Sequence, residues 1–574
     1  MVLTFTNLHL YEAALESLGD FEHPPRNLGL GPRRTDDVAE LARGVRAATD
    51  YVRYLDPRFA EADFLRNRAR ERALRYSVFS RPFAALRGMP PRQVALLLRA
   101  LMAVERAIPS SAEVETLIRS VDPDVVVVSP FLIGGSPQTD TVKSAQALGV
   151  PAMVCVASWD NLTNKGHMRV MPDRVVVWNE DQRREAVELH DVPEDRIDVT
   201  GAQPFDRWFG REPSTTRQAF GAKVGLPADR PFALFCASRS NIGEGVEQAF
   251  VARWREAVRE RHGDGLSVLV RPHPERPGHW EGRFEDDPGA TVWPTAVHNV
   301  VGEDTREGFF DSLYHSAAIV GTNTSAMIEA AIVGRPVLTV RAPEFEQSQT
   351  GTLHFRYLRP EHGGFLMEAW TLEEHVDQLS EAVEDPWRFR EANARFVARF
   401  VRPHGLDRPC TPILADAVER LAEGTASRPP ITARRALGGL LLRALARGVT
   451  AWEGQRKPAA AKHVARLAAH PFRRLAKATR RYPRVSEASR GAADRIDELG
   501  RRRSERLRRA KVERVAEVEE AAEKGSRLLD PERVAQSRAT LAPPSRGARP
   551  RTARPSDTRA RTPPLTRTGT TLRR

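Results

Sequence analysis

Two loops in the second part of the chain carry cations and hydroxyls that suit a diphosphate. Arg271-Pro272-His273-Pro274 follows an apolar run at 266–270 and offers guanidinium and imidazole donors stiffened by two prolines. Ser238 and Arg239 follow another apolar run and add a hydroxyl and a cation. The alternative for the first loop is a rigid turn with solvated side chains.

A third loop lies between predicted strands at 317–320 and 337–340. Gly321-Thr322-Asn323-Thr324-Ser325 is a small, hydroxyl-rich turn, and 326–333 has the composition of a helix that packs on a sheet. The free N–H groups and the dipole at the start of such a helix favour a phosphate. Glu329 could then reach a sugar hydroxyl. The alternative is that Thr324 is only an N-cap and Glu329 only a solvated helix residue.

Candidates for proton transfer follow strands in the first part of the chain. Ser158-Trp159-Asp160-Asn161 comes after the run at 151–157, and Asp160 could act as general base for an acceptor hydroxyl. The alternative for Asp160 is an Asx-turn with its own backbone. Lys165 could bind an anion or be solvated. His354, in a loop after 337–340, could touch a sugar or nucleotide, or be a satisfied structural histidine.

The elements that position these loops alternate as strand and helix. This pattern predicts an α/β fold with two Rossmann-like doubly wound domains that face a cleft, because ligands bind beyond the carboxyl ends of parallel strands. We expect Val125–Ser129, which is apolar throughout, to be central in its sheet. The expected divisions are 1–205 with a helical insertion at 36–121, 206–420, a basic helical extension at 421–535, and a disordered Arg/Pro-rich tail at 536–574. Within them we expect a first strand at 2–7, a helix at 11–18, a loop at 22–36, a helical stretch at 91–121 and a linker at 202–230.

The positive net charge of +13 belongs to the end of the chain. Residues 421–574 hold 38 Lys and Arg against 15 Asp and Glu, whereas 1–420 hold 50 against 60. Basic helices there could lie on an anionic membrane, or they could pair with their own acidic residues at 513–523. Specific nucleic-acid binding is not expected, since no aromatic residues alternate with the arginines.

Several function classes are not indicated by the sequence. No spacing matches a zinc site, a P-loop or a nucleophile elbow, so we expect no metal and no cofactor. The three cysteines form no disulfide framework, which suits a reducing compartment. The N-terminus lacks the pattern of a signal peptide, and no apolar run approaches the length of a membrane span. We therefore expect a cytoplasmic protein, peripheral to the plasma membrane at most.

Arg271-Pro272-His273-Pro274 together with 321–338 (GTNTSAMIEAAIVGRPVL) resembles the GT-B nucleotide-sugar glycosyltransferases. The likeness covers about 120–400 and is nearest to the glycerophosphotransferase branch that uses CDP-glycerol and to surface-polysaccharide transferases. That branch has a catalytic His in a Trp-His-Gly-Thr-Pro-Leu-Lys-Lys motif. The corresponding stretch here begins Trp159-Asp160, so Asp160 stands where that His stands, and this departure favours a sugar donor.

The resemblance implies a metal-independent transfer of a sugar from a nucleotide-diphosphate donor to a hydroxyl of a lipid-linked or cell-surface glycan. The diphosphate would be held by Arg271, His273, Thr324, Ser325, Ser238 and Arg239. The ribose or sugar would be held by Glu329, Asn323 and His354. The acceptor side would comprise Ser129, Ser158, Asn161 and Lys165, with Asp160 catalytic. The alternatives are a glycerophosphotransferase, a sugar-nucleotide epimerase, and a non-catalytic membrane-surface scaffold.

Overall fold

The structure is a computed structural model, and it describes residues 1–5, 23–132, 137–238, 242, 245–297 and 302–424. The predicted helix at 11–18 and the predicted extension and tail at 421–574 therefore lie wholly or almost wholly outside the described residues. Within them the chain is α/β: a four-stranded and a six-stranded parallel sheet, each with helices beside it. This confirms the predicted fold class. We call the parts around these two sheets the first half and the second half.

The strands are short, as is usual for buried parallel sheets. They are β1 Val2–Phe5, β2 Arg26–Leu30, β3 Val126–Val128, β4 Ala152–Cys155, β5 Arg174–Val177, β6 Ile197–Val199, β7 Phe232–Cys236, β8 Ser267–Arg271, β9 Ala290–Val292, β10 Ala318–Gly321, β11 Val337–Val340 and β12 Met367–Ala369. The helices are α1 Ala39–Arg53, α2 Asp63–Tyr76, α3 Pro91–Ala107, α4 Ala112–Val121, α5 Gln138–Leu148, α6 Asn161–Asn164, α7 Glu180–His190, α8 Arg217–Val224, α9 Val246–His262, α10 Glu303–His315, α11 Ala326–Val333, α12 Leu372–Glu384, α13 Arg390–Phe400 and α14 Cys410–Glu423.

The first sheet has the order β3-β4-β5-β6, with all neighbours parallel. The prediction that the strand at 125–129 is central is wrong. It forms β3 at the edge of the described sheet, and its Val127 side chain is 45% exposed. A run of valines signals strand propensity, but it does not by itself show that both faces are covered.

The helical insertion comprises α1 to α4, and buried ion pairs between side chains join it to the first half. Arg46 of α1 donates to both Glu105 and Asp140, with nitrogen–oxygen distances of 2.8–3.1 Å. The helix predicted at 91–121 is instead two helices, because Pro109 interrupts it and Ser111 caps the second by accepting from the amide of Val114.

Residues 22–36, predicted as loop, contain the strand β2. It pairs in parallel with β1, the strand predicted near Val2, in a separate two-stranded sheet. The sequence Arg26–Leu30 contains no β-branched residue, so its strand character was not visible in its composition.

The second sheet has the order β12-β11-β10-β7-β8-β9, again with all neighbours parallel. The strand–turn–helix–strand unit β10-α11-β11 lies at its middle. Helix α11 and strand β11 have the predicted bounds, because Gly334 ends the helix in the left-handed conformation at φ +82°.

The segment at 202–230, interpreted as a linker, is part of the core. Phe205, Trp208 and Phe220 are each at most 5% exposed and join a cluster that also contains Trp159 of the first half and Phe400 of α13. The connection between the sheets is therefore packed, with apolar contacts on both sides.

Helix α14 returns the chain from the second half to the first. Its Ala417, 3% exposed, packs on Met153 and Cys155 of β4 and on Val176 of β5. Among the described helices, none is long and apolar enough to cross a membrane.

Candidate active site

The carboxyl ends of β7, β8 and β10 meet at one edge of the second sheet and open on a cavity of about 240 Å³. We call it the α11 cavity because helix α11 begins in its wall. The structure brings five of the predicted residues together here: Arg271, His273, Thr324, Ser325 and Glu329. They come from the end of β8 and the loop after it, from the loop after β10 and from helix α11.

The start of α11 presents N–H groups to this cavity. Ser325 is the N-cap residue, and the hydroxyl of Thr324 accepts from the amide of Ala326 at 3.4 Å, so Thr324 does take a capping role. Within the described part of the chain, no protein acceptor is bonded to the N–H groups of Thr324 and Ser325. Those donors and the helix dipole favour an anion.

The sequence predicts that the guanidinium of Arg271 donates paired hydrogen bonds to a diphosphate. In the structure this guanidinium bonds to the protein. The side chain is buried, and Nη1 donates to Ser312 Oγ at 3.0 Å and to the Gly308 carbonyl at 3.3 Å. The rings of Trp293 and Phe309 lie 4.9 and 5.1 Å from the guanidinium carbon. Burial lowers the pKa of Arg271 to about 10, so it still carries charge at neutral pH. Arg271 contributes positive charge and holds helix α10.

Two further cations in the cavity wall were not predicted. Arg207, which is exposed, comes from the short helical segment at 203–208, and Arg306, half-buried, comes from the first turn of α10. Arg306 pairs with Glu303 at 3.5 Å. The loop after β9 leads to the same sheet edge as the other loops, and this rule could have indicated Arg306; no local signal marks Arg207.

Glu329 is the one carboxylate among the described residues that line the α11 cavity. Burial raises its pKa to about 8, against the opposing effect of Arg207 and Arg271. The group is therefore mostly protonated at neutral pH and can donate as well as accept a hydrogen bond. Glu329 lies in the first turn of α11, and its predicted contact with a sugar or ribose hydroxyl stays a prediction.

His273 is half-buried, and its Nδ1 accepts from the amide of Glu275 at 3.2 Å. That bond assigns the proton of the neutral ring to Nε2, which makes this atom a donor.

Ser238 lies at the beginning of the loop that follows β7. Its amide donates to both carboxylate oxygens of Glu247, at 3.0 and 3.1 Å, and burial raises the pKa of Glu247 to about 7. Glu247 was not predicted. Arg239 lies outside the described residues.

A second cluster joins the two halves at the loops after β4 and β11. The indole of Trp159 contacts the imidazole of His354 edge-on, with centroids 4.5 Å apart. Asp160 pairs with Lys165 at 3.1 Å and accepts from Asn164 Nδ2 at 3.2 Å. Asp160 does not line the α11 cavity; among the described residues the clusters are linked through the turn at 321–325.

The carboxylate of Asp160 is held ionised. Burial opposes its charge, but the nearby cation of Lys165, the imidazole of His354 and hydrogen bonds from Ser158 and Asn164 hold the pKa of Asp160 far below its usual value. A carboxylate with so low a pKa is a weak proton acceptor.

His354 and Asn323 serve this cluster. Asn323 Nδ2 donates to the Ser348 carbonyl. It also donates to Thr352 Oγ1 at 3.1 Å and lies 3.3 Å from His354 Nε2. Burial lowers the pKa of His354 to about 4, so the ring is neutral. The structure therefore places His354 near Asp160 and Asn323 against His354, and neither residue lies in the wall of the α11 cavity with Glu329.

The remaining acceptor-side residues have structural partners. Asn161 Oδ1 accepts from the amides of Ala157 and Ser158 at 3.0 and 3.2 Å, and it is 2% exposed. Ser129 is exposed, and its hydroxyl donates to the Cys155 carbonyl at 3.0 Å. Within the described residues, no group of three or more His, Cys, Asp or Glu is arranged to hold a metal ion.

No protein-family model matches the chain, and no curated protein matches it. Solved structures do show partial likeness. The S. aureus MnaA–UDP structure is 18% identical, with a TM-score of 0.38 over 57% of this chain and 83% of that chain. The UDP-GlcNAc 2-epimerase from Neisseria meningitidis bound to UDP-GlcNAc is 14% identical, with a TM-score of 0.39 over 73% and 98%.

The wall teichoic acid polymerase TagF is 16% identical, with a TM-score of 0.32. That match covers 44% of this chain and 58% of the polymerase. At these scores the assignment of the fold depends on the two parallel sheets themselves, and the function has to be argued from the site.

Proposed function

We propose that the chain is a glycosyltransferase that moves a sugar from a nucleotide-diphosphate donor to a hydroxyl of a lipid-linked or cell-surface glycan. One observation carries the proposal. Arg207, Arg306, His273 and the N–H groups at the start of α11 converge on one cavity at the carboxyl edge of a parallel sheet. In the proposal, the donor binds to residues 206–420 and the acceptor to residues 1–205.

The α11 cavity suits the charged centre of such a donor. Its volume of about 240 Å³ is near the lower end for ligand sites, so the base and the sugar would extend beyond it. Cleavage of the sugar–phosphate bond leaves negative charge on the diphosphate. Arg207, Arg306 and the helix dipole would stabilise that charge without a metal ion. Protonated Glu329 would bind a ribose or sugar hydroxyl.

In this proposal Asp160 contacts the hydroxyl of the acceptor. Its low pKa makes early proton removal unfavourable, so its carboxylate would first orient the acceptor hydroxyl by accepting a hydrogen bond. The hydroxyl becomes more acidic as its oxygen bonds to the sugar, and the proton is transferred late.

A panel of nucleoside diphosphates tests the donor assignment by thermal stabilisation of the full chain. A ligand at a hundred times its Kd stabilises a protein by about 2.7 kcal/mol, which is a measurable rise in Tm. We expect one base to give this rise, and the variant Arg207→Ser/Arg306→Ser to lose it. The matched variant Arg261→Ser/Arg283→Ser removes two cations that do not line the cavity and should keep the rise. A panel in which no nucleotide raises Tm would refute the proposal.

Product mass then separates the reaction classes. A transferase adds a hexose or related residue to the acceptor, a glycerophosphotransferase adds glycerol phosphate, and an epimerase returns a donor of unchanged mass. We expect the first result with a sugar donor.

We also propose that residues 421–574 bring the enzyme to an anionic membrane surface, on the basis of their charge. Sedimentation with anionic vesicles tests this by comparing the full chain with residues 1–424, which keep helix α14 whole; equal binding would contradict it.

A further inference from the structure

A larger cavity lies in the first half, between the helical insertion and the sheet β3–β6. Its volume is about 890 Å³, within the range of sites for small organic ligands. Asp173 and Arg196 in its wall directly precede β5 and β6, so the cavity reaches the amino edge of that sheet. The loops of the proposed transfer site follow the carboxyl edge. We call this second cavity the insertion cavity.

The wall of the insertion cavity is strongly basic. Among the described residues that line it, seven are Arg or Lys and three are Asp. Two of these cations, Arg99 and Arg106, lie on the exposed side of α3, two helical turns apart. Neither has a hydrogen bond or an ion pair to any other described residue, and their charges are available to a ligand.

The deeper cations have partners that hold them in place. Arg53 donates to the carbonyls of Leu162, Lys165 and Gly166, and Arg169 pairs with Asp50. These bonds fix the floor of the cavity while its positive charge remains.

The histidines of the floor stay neutral in this environment. The rings of His167 and His190 are stacked, with centroids 5.5 Å apart. Burial lowers the pKa of His167 to about 3, and the cations of Arg53 and Arg169 act in the same direction. The positive charge of the floor therefore comes from Arg53 and Arg169 and not from the histidines.

The same cavity has an apolar wall. Leu98 and Met102 face it from α3, and Met171 faces it from the segment that leads to β5. Met168 and Val170 also lie in this wall but are buried in the core of the first half. Flexible methionine side chains adapt to an aliphatic ligand. Cations at the rim and an apolar wall inside together fit a ligand that is charged at one end and aliphatic at the other.

We propose that the insertion cavity binds an aliphatic phosphate or diphosphate, with the phosphate at Arg99 and Arg106 and the aliphatic chain against Leu98, Met102 and Met171. This binding site is additional to the proposed transfer reaction. Two sources share the chemistry: the phosphate of a membrane phospholipid, and a free alkyl or isoprenyl diphosphate.

Titration calorimetry of the full chain with farnesyl diphosphate tests the proposal. We expect binding, and a Kd about tenfold higher or more in Arg99→Ser/Arg106→Ser, because charge-assisted bonds to the phosphate are lost. The matched variant Arg87→Ser/Arg92→Ser removes two exposed cations nearby that do not line the cavity, and its Kd should not change. Inorganic pyrophosphate, which lacks the chain, should bind at least tenfold more weakly.

The proposal would be overturned if farnesyl diphosphate did not bind, or if inorganic pyrophosphate bound as tightly as farnesyl diphosphate. It would also be overturned if Arg99→Ser/Arg106→Ser and Arg87→Ser/Arg92→Ser weakened farnesyl diphosphate binding equally. Loss of binding in Arg207→Ser/Arg306→Ser with no loss in Arg99→Ser/Arg106→Ser would also overturn it, since the ligand would then occupy the α11 cavity.

A soluble short-chain phosphatidylglycerol, used below its critical micelle concentration, distinguishes the two sources without a vesicle surface for residues 421–574 to bind. If the ligand is a phospholipid, calorimetry should show that this lipid binds the full chain and binds about tenfold more weakly to Arg99→Ser/Arg106→Ser. Lipid binding that is absent or unchanged in this variant, together with weakened farnesyl diphosphate binding, assigns the site to a free alkyl diphosphate. The proposed transferase activity can fail without affecting either measurement.

Discussion

Glu329 contributes the one titrating carboxyl to the described wall of the α11 cavity, and its protonation should control anion binding. Burial raises its pKa to about 8, against Arg207 and Arg271, while Cys236 stays neutral because burial raises its pKa to about 12. As pH rises through about 8, Glu329 ionises and repels a bound diphosphate. We expect the Kd of the nucleoside diphosphate to rise about threefold or more between pH 7 and pH 9, measured by calorimetry.

The variant Glu329→Gln should show a flat Kd over this range, since the diphosphate itself is fully ionised above about pH 7. A wild-type Kd that is independent of pH would contradict the assignment.

The raised pKa of Glu329 also makes stability depend on pH. The folded-state pKa lies above the unfolded value of 4.5, so protonated Glu329 stabilises the fold. This contribution to the free energy of unfolding is full below pH 4.5 and is lost as pH rises through about 8.

Asp160 should affect turnover without affecting donor affinity, because it lies in the cluster with His354 and not in the α11 cavity. We expect Asp160→Asn to lower kcat about a hundredfold and to leave the nucleotide Kd unchanged. Lys165→Met breaks the same ion pair but keeps the carboxylate. It should lower kcat far less; equal losses in both variants would show that the ion pair matters and the carboxylate does not.

In the proposed function, anion binding depends on helix α11, and its N–H groups can be tested separately from its side chains. Ser325, the N-cap residue, has a φ of −60°, which proline can adopt. We expect Ser325→Pro to remove one N–H donor and to raise the diphosphate Kd about tenfold, since hydrogen bonds to charged groups contribute about 1.5–3 kcal/mol.

Ser325→Ala is the matched control, because it removes the hydroxyl and keeps the N–H group. It should change the Kd little, and thermal melts of both variants should show that α11 still forms. If the alanine variant loses as much affinity as the proline variant, the hydroxyl binds the ligand and the backbone does not.

The elements that sequence reasoning located best are those with a strong local signal at both ends. For α11, the apolar strands on either side and Gly334 predicted both ends of the helix without error. Strand β12, Met367–Ala369, was missed because three residues show no periodicity and one of them is Glu368. Helix α14 was missed because Pro412 lies in its first turn, where proline is tolerated but reads as a break.

Contacts between distant elements were the least visible in the sequence. The loops after β7, β8 and β10 could be placed at one sheet edge by topology alone, which brought His273, Ser325 and Glu329 together. Arg207 reaches the same cavity from the packed connection between the halves, and the insertion cavity forms between α3 and the first sheet. Neither follows from a local pattern, because each depends on how whole elements dock.

At the scale of the molecule, the two halves are fastened by chain that crosses between them. The amide of Ala202 donates to the Val401 carbonyl at 2.8 Å, and Asn179 Nδ2 donates to the Phe400 carbonyl at 2.7 Å. Helix α14 then packs on β4 and β5 of the first sheet. The relative position of Asp160 and the α11 cavity therefore depends on contacts remote from both.

Ala417 tests this dependence, since it is 3% exposed at the centre of the α14 contact with Met153 and Val176. Ala417→Asp buries a charge without a partner there, and we expect a loss of about 3 kcal/mol in the free energy of unfolding, measured in urea. Glu419→Ala changes an exposed residue of the same helix, and its free energy of unfolding should stay within about 0.5 kcal/mol of the wild-type value.

Because α14 holds the first half in place, Ala417→Asp should also affect turnover. At a temperature where this variant remains folded, its kcat should fall by a larger factor than its nucleotide Kd rises. A variant with full turnover would show that the docking of α14 stabilises the first sheet without positioning Asp160.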